Sequence, residues 1–139
     1  MRFNNKRLIK YPHMSPQDFP LWNKFLTEHG AEFKGFDYDV KIGEGVKPLT
    51  PVPNYLEKDL ADLTKKRIDA VGYQSDGVQL FEVKPRAGTA ALGQLLGYKV
   101  LYNSTFPNNK VKALVLVTSY LNQDEIQYYN SYNITIYTY

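Results

Sequence analysis

The chain has 139 residues, of which 43% are hydrophobic and 22% charged, and its formal net charge is +3. We expect a single domain over residues 1–139, in the cytoplasm and with no membrane partner, because no stretch reaches transmembrane length and the first ten residues lack the apolar run of a signal sequence. The absence of cysteine excludes disulfides and thiolate metal sites, and the net charge is too small to indicate nucleic acid by itself.

The first predicted element is a helix that begins at Ser15-Pro16 or at Asp18 and runs to Gly30. Pro20 would confine or kink its first turn. The apolar residues of this helix fall at helical spacing and are Phe19, Trp22, Phe25 and Leu26.

The next segment, residues 36–42, alternates apolar and charged side chains, which predicts a half-exposed strand. Residues 46–53 form a proline-rich loop. A short helix is predicted to follow, with its leucines at helical spacing: Leu56, Leu60 and Leu63.

Two further strands are predicted over residues 66–73 and 78–84, where β-branched and aromatic residues are frequent. The segment between them, Gln74-Ser75-Asp76-Gly77, has the composition of a hairpin turn. Side chains alternate faces along a strand, so Glu82 and Lys84 point the same way, about 7 Å apart.

The register of this hairpin decides where Asp69 lies. If residues 74–77 all belong to the loop, Asp69 lies opposite Glu82; if Asp76-Gly77 alone forms the turn, Asp69 lies opposite Lys84. Both registers place the three side chains on one face, and only an odd-length loop or a bulge would separate them.

Two carboxylates on neighbouring strands repel each other unless a cation lies between them, and hard oxygen ligands suit Mg²⁺ or Mn²⁺. Such a metal would lower the pKa of a bound water and neutralise charge on a scissile phosphate, while Lys84 would steer the attacking water or stabilise the transition state.

The alternative interpretation of these charged residues is an exposed cross-strand ion pair, which contributes little to stability. Apolar neighbours on this face favour the functional interpretation, because they make unpaired carboxylates costly; they are Val71, Tyr73, Val78 and Leu80.

A helix over Ala90–Tyr102 is predicted after Pro85, with Thr89 as its N-cap. Gly93 and Gly97 weaken this helix, and they would let it approach another backbone closely.

Gln94 and Tyr98 fall on the same helical stripe as Ala91 and Leu101. A buried amide needs partners, which a metal-bound water, a carboxylate or a phosphate oxygen would supply. The alternatives are a surface glutamine and an ordinary packing tyrosine.

The last predicted elements are a strand over residues 111–118, a short helix from the cap Asn122 to about Tyr129, and a strand over residues 133–139. The near-continuous apolar run in residues 111–118 is typical of a strand buried on both faces. The whole order predicts an α/β fold with a mixed central sheet flanked by helices.

Asp69, Glu82-Val83-Lys84 and the Gln94-x-x-x-Tyr98 spacing together resemble the PD-(D/E)XK nuclease superfamily, and the glutamine-to-tyrosine spacing is similar to that of its RecB-like exonuclease branch. The resemblance covers about residues 66 to 102. It implies a restriction-endonuclease-like αβββαβ core. One departure is that Ile68, rather than proline, precedes Asp69.

The resemblance also implies roles for these residues. Asp69, Glu82 and the backbone carbonyl of Val83 would ligate Mg²⁺, for which Mn²⁺ would substitute. Lys84 would act on the attacking water. Gln94 would complete the catalytic set, and with Tyr98 it would hold the site and the DNA phosphate.

In relatives the first helix often presents a glutamate or histidine toward the metal, which makes Glu28 and His29 candidates. The competing interpretation for both is a solvated helix C-terminus, where histidine also suits the helix dipole.

Basic residues occur near the proposed site and would contact phosphates on both sides of a cleavage point, although solvated surface is the alternative. They are the arm of Arg2, Lys6, Arg7 and Lys10, the run of Lys65, Lys66 and Arg67, and the flanking Arg86 and Lys99. The 12 tyrosines would stack on bases, seal a dimer or cover a small core.

These features predict a metal-dependent DNA endo- or exonuclease that acts in recombination, repair or the DNA processing of a phage or other mobile element. The first alternative is an inactive nucleic-acid-binding or assembly protein on the same fold, and the second is a generic α/β domain with an accidental Glu-x-Lys. So small a domain has little room to clamp a duplex, so we also expect a homodimer or a partner protein that supplies specificity.

Overall fold

The computed structural model describes residues 11–12 and 14–139. The helices and strands of this part are α1 (Phe19–His29), β1 (Gly35–Ile42), α2 (Asn54–Thr64), β2 (Lys66–Gln74), β3 (Gly77–Val83), α3 (Thr89–Thr105), β4 (Val111–Thr118), α4 (Gln123–Ser131) and β5 (Thr135–Thr138). A short 3-10 helix, Gly30–Glu32, continues α1.

The strands form one five-stranded sheet in the order β1-β2-β3-β4-β5. The first three strands pair antiparallel, and β3, β4 and β5 pair parallel. The predicted α/β class with a mixed sheet flanked by helices is therefore confirmed. No helix in the described ranges is long and apolar enough to cross a membrane.

Two apolar clusters lie on opposite faces of the sheet. Residues of α3 and α4 pack on one face, around Leu80, Leu95 and Leu116. Residues of α1 pack on the other face, where Trp22 contacts Phe81 with 5.1 Å between ring centroids. The strands between the clusters are thus covered on both sides, and residues 114–118 of β4 are buried, as predicted for its apolar run.

Helix α1 begins after Asp18, the second of its two predicted starts, and Pro20 lies in its first turn, where a missing N–H costs nothing. Its fully buried residues are Leu21, Trp22, Phe25 and Leu26, whereas Phe19 is only partly buried.

The β2–β3 register pairs Tyr73 with Val78, as predicted for the four-residue loop. The strands extend one residue further than expected, since Gln74 also pairs with Gly77 and only residues 75–76 form the turn. In this register Asp69 lies opposite Glu82.

Strand β1 does not keep the simple alternation that its sequence predicts. Tyr38 packs in the cluster under α1, whereas Val40 packs against the cluster under α3. Between them Asp39 has a φ of 56°, a left-handed conformation that aspartate tolerates better than most residues. On β2, Ile68 packs in the cluster under α3 and Ala70 packs in the cluster under α1, with Asp69 between them. The alternation of side chains is therefore interrupted at the same level in β1 and β2.

Helix α2 forms as predicted, but none of its residues is buried. Leu56 is 45% exposed and Leu63 is 81% exposed, so these leucines lie largely on the surface. The hydroxyl of Thr64 accepts a hydrogen bond from the N–H of Val46 at 2.6 Å, which ties the end of α2 to the preceding loop.

Helix α3 differs from its prediction at both ends. Gly88 is its N-cap and Thr89 its first residue, and the helix runs to Thr105. A Cβ added at Gly93 or Gly97 would meet no atom within 4 Å in the described structure, so the predicted close backbone approach is wrong. Both glycines instead face an open groove.

Candidate catalytic site

Asp69 is fixed where the regular pairing between β2 and β3 ends. The last paired residues are Ala70 and Phe81. Just beyond them, Oδ2 of Asp69 accepts a hydrogen bond from the N–H of Val83 at 2.8 Å. The carboxylate therefore takes the place of a backbone acceptor, and it is only 6% exposed.

Glu82 meets Asp69 from the neighbouring strand. Its side chain is hydrogen-bonded to that of Asp69, and its Oε2 accepts the hydroxyl proton of Tyr98 at 2.8 Å. Burial raises the pKa of Glu82, against the opposing effects of the hydrogen bonds from Tyr98 and Asp69 and of the charge on Lys84. Two carboxyl groups in hydrogen-bonding contact share a proton unless a cation lies between them.

The two acids open into a cleft of about 440 Å³, which we call the acidic cleft. Its lining residues come from the ends of β2 and β3 and from the segment before α1, and they are Ser15, Gln17, Asp18, Asp69, Glu82, Val83, Lys84 and Pro85. The structure thus brings together the predicted residues Asp69, Glu82, Val83 and Lys84. Lys84 is exposed in this cleft, while its backbone N–H donates to the carbonyl of Val117 and holds the end of β3 against β4.

Asp18 is a site residue that the sequence interpretation missed. It lies at the start of α1, where its Oδ2 accepts the N–H of Ser15 at 2.8 Å, and its charge contributes to the raised pKa of Glu82. The signal in the sequence is an acidic residue just before a helix, which by itself predicts only a helix start.

Glu28 and His29 lie away from the acidic cleft. Nδ1 of His29 is 2.6 Å from a carboxylate oxygen of Glu32, and its ring packs on Tyr137 with 4.6 Å between centroids. Both residues lie at the C-terminal end of α1, with the His29 ring packed rather than solvated, and it is the N-terminal end of α1 that approaches the cleft.

A second cavity of about 550 Å³ lies between α3 and the junction of α2 with β2, and we call it the α3 groove. It is lined by Thr64, Lys65, Lys66, Arg67, Ala90, Gly93, Gln94, Gly97, Tyr98 and Leu101. Five residues predicted to bind or act on the substrate therefore share this groove: Lys65, Lys66, Arg67, Gln94 and Tyr98.

Gln94 is exposed in the α3 groove and does not line the acidic cleft. The buried face of α3 carries Ala91, Leu95 and Tyr98, with Leu95 fully buried. The helix is thus rotated so that Leu95, rather than Gln94, faces the core, and the predicted burial of the amide is wrong.

Tyr98 links the two cavities. Its ring lines the α3 groove, and its hydroxyl holds Glu82, which lines the acidic cleft. Burial and the Glu82 charge raise the pKa of Tyr98, so its hydroxyl stays protonated and acts as the donor.

The basic residues of the α3 groove differ in how far their charge is compensated. Nε and Nη2 of Arg67 each lie 2.8 Å from an oxygen of Asp39, a bidentate pair. Lys65 is 3.1 Å from Asp62. Lys66 is exposed and forms no ion pair with any residue of the described ranges, so its charge is the least compensated of the three.

The remaining predicted phosphate contacts lie outside both cavities. Cζ of Arg86 is 4.5 Å from the ring centroid of Tyr120, and Lys99 is exposed on α3. The N-terminal basic arm, Arg2 to Lys10, lies outside the described residues.

The donors in the acidic cleft fit a hard divalent cation in part. Within residues 11–12 and 14–139, no group of three or more His, Cys, Asp or Glu side chains is arranged to hold a metal. Mg²⁺, however, is commonly bound by one or two carboxylates, with water and phosphate at its other positions. Asp69 and Glu82 supply these two carboxylates.

Comparisons of the chain with protein-family models, curated proteins and solved structures gave no match. Function is therefore inferred from the chemistry of the acidic cleft and the α3 groove.

Proposed function

We propose that this protein is a Mg²⁺-dependent deoxyribonuclease that hydrolyses phosphodiester bonds on a restriction-endonuclease-like core. The observation that carries the proposal is the contact between the buried side chains of Asp69 and Glu82, in the same cleft as Lys84. The order α1, β1, β2, β3, α3, β4 supports the αβββαβ core, with α2 inserted after β1 and with α4 and β5 added at the end.

Each residue of the acidic cleft has a distinct role in this proposal. Asp69 and Glu82, with the carbonyl of Val83, would hold Mg²⁺, which when bound supplies positive charge at the scissile phosphate and lowers the pKa of a coordinated water. Lys84 places a mobile cation at the cleft, where it would orient the attacking water and stabilise the extra negative charge of the transition state.

The cleft is organised before any substrate binds. The N–H of Val83 fixes Asp69, and Tyr98 fixes Glu82, each through a hydrogen bond of 2.8 Å. Fixed acceptors lower the reorganisation needed during reaction, because the side chains do not have to be ordered at that moment.

The test is cleavage of plasmid, linear and branched DNA in Mg²⁺ or Mn²⁺, with EDTA as the metal-free control. Asp69→Ala and Lys84→Ala should each lower the rate by about 100-fold or more. Lys24→Ala, which removes an exposed lysine of α1, should leave it unchanged. The proposal fails if wild-type protein cleaves none of these substrates, or if both site variants cleave as fast as wild type.

A nucleic-acid-binding protein without turnover is the second candidate. The position of Gln94 outside the acidic cleft favours it, since a member of the expected catalytic set is then displaced. Such a protein should bind DNA equally well in EDTA and in Mg²⁺ and should cleave none of it.

A further inference from the structure

We propose that the α3 groove seats a single, unpaired nucleic-acid strand and passes it to the acidic cleft. This inference rests on the proposed function, because it names the form of nucleic acid that the same site would accept. It commits to a strand with free bases and not to a duplex.

The size of the α3 groove favours one strand. Its volume is about 550 Å³, and pockets of about 300 to 1,000 Å³ hold a drug-sized ligand, which corresponds to roughly one or two nucleotides. A base pair with both of its backbones is too large to enter. A duplex would therefore reach Tyr98 only if its end had separated.

The charge of the groove suits a phosphodiester backbone. Three of its lining residues are cationic and none is acidic. Asp62 and Asp39 compensate Lys65 and Arg67, which leaves the ammonium of Lys66 to attract one phosphate. Such positive charge is what a groove for a single strand needs along the backbone, whereas Tyr98, which also lines the groove, is only 5% exposed and offers little ring surface for stacking.

The α3 wall of the groove is bare backbone at two positions. Gly93 and Gly97 each cost the helix about 1 kcal/mol relative to alanine, and no neighbouring atom among the described residues fills the space of the missing Cβ. Packing among the described residues therefore does not explain why glycine occupies these two positions. A sugar or base in the groove would approach this wall closely, beside the exposed amide of Gln94.

Continuity with the acidic cleft favours a substrate strand over an unrelated small molecule. A strand in the α3 groove would lie against the ring of Tyr98, whose hydroxyl holds Glu82. The next phosphate along that strand would then come near Glu82 and Lys84.

The test separates binding from chemistry. Binding of a labelled oligothymidine of about 12 nucleotides, and of a duplex of the same length, is measured by fluorescence anisotropy in EDTA. Gly93→Leu fills the groove and Lys66→Ala removes its free charge, while Val100→Leu and Lys24→Ala make matched changes on exposed helix positions outside it. We expect the first two variants to weaken oligothymidine binding by about tenfold and the controls to bind as wild type does.

A second measurement follows hydrolysis of bis(4-nitrophenyl) phosphate in Mn²⁺, a small ester that needs only the acidic cleft. Gly93→Leu should retain this hydrolysis while it loses oligothymidine binding. If wild type cleaves neither the ester nor any of the DNA substrates but Gly93→Leu still loses binding, the proposed function fails and the groove inference stands. Unchanged binding by Gly93→Leu, or tighter binding of wild type to the duplex, overturns the inference.

Circular dichroism melting checks that each variant folds. If Gly93→Leu does not fold, the double variant Gly93→Ala, Gly97→Ala takes its place, because alanine improves helix propensity while it narrows the groove. This variant should melt at a higher temperature than wild type and bind oligothymidine more weakly, and unweakened binding would overturn the inference.

Discussion

Tyr98 and Glu82 are joined by a hydrogen bond of 2.8 Å between the tyrosine hydroxyl and Oε2 of the carboxylate. The bond connects α3 to β3 and crosses from the α3 groove to the acidic cleft. Because the hydroxyl donates to the charged form of Glu82, it lowers the pKa of that carboxyl against the larger effect of burial, which raises it.

Tyr98→Phe should raise the pKa of Glu82 further, because it removes the donor while burial persists. If ionised Glu82 is needed for hydrolysis, the acidic limb of the pH–rate profile should move to higher pH. Tyr102→Phe removes a buried hydroxyl of the same helix that accepts from Asn109, and it is the matched control. A profile for Tyr98→Phe that coincides with that of Tyr102→Phe would show that the bond does not tune Glu82.

Glu82→Gln should change how stability depends on pH in EDTA. The folded-state pKa of Glu82 lies above its ordinary value of 4.5, so the protonated form favours folding, and this contribution is lost as the pH rises through the folded pKa. Glutamine keeps a neutral side chain at every pH. We expect the variant to melt on the order of a few degrees above wild type at neutral pH, with the difference shrinking as the pH falls through the folded-state pKa of Glu82 and complete loss of its pH dependence below about 4.5. An equal difference in melting temperature between variant and wild type at neutral pH and at acidic pH would contradict this account.

Mg²⁺ should stabilise the wild-type protein against heat, because a ligand that binds the folded state shifts unfolding by mass action. At about ten times its Kd the gain is about 1.4 kcal/mol. Asp69→Asn should abolish the shift, since one of the two buried carboxylates is lost. Asp124→Asn, an exposed acid of α4, should keep it. The metal assignment fails if wild type and Asp69→Asn respond to Mg²⁺ alike.

Tyr38→Phe tests the cluster between α1 and the sheet. Nε1 of Trp22 donates to the hydroxyl of Tyr38 at 2.9 Å in a buried setting. Removing that hydroxyl leaves a buried N–H without its acceptor, which should cost about 1 to 3 kcal/mol of the free energy of unfolding. Urea denaturation measures the change, and Tyr132→Phe, at a site 56% exposed, should cost far less.

Several features of the structure can be predicted from local patterns in the sequence. The period of two along β2 and β3, with an even turn, predicts that Asp69 lies on the same face as Glu82 and Lys84, and of the two registers that this leaves open the structure has the one that pairs Tyr73 with Val78. Asn122 is the cap of α4, and its side chain accepts the N–H of Glu125 at 2.9 Å. These features depend on residues close in sequence, where backbone geometry leaves few alternatives.

The tertiary structure decided what depends on distant parts of the chain. The rotation of α3 was set by packing of Leu95 into the core, and it directed Gln94 outward and Tyr98 onto Glu82. Asp18 lies in the acidic cleft because the packing of α1 on the sheet brings the N-terminal end of this helix there, and Asp39 pairs with Arg67 across two strands. A sequence pattern gives the spacing of side chains along one element, but the rotation and docking of elements depend on the shape of the whole core.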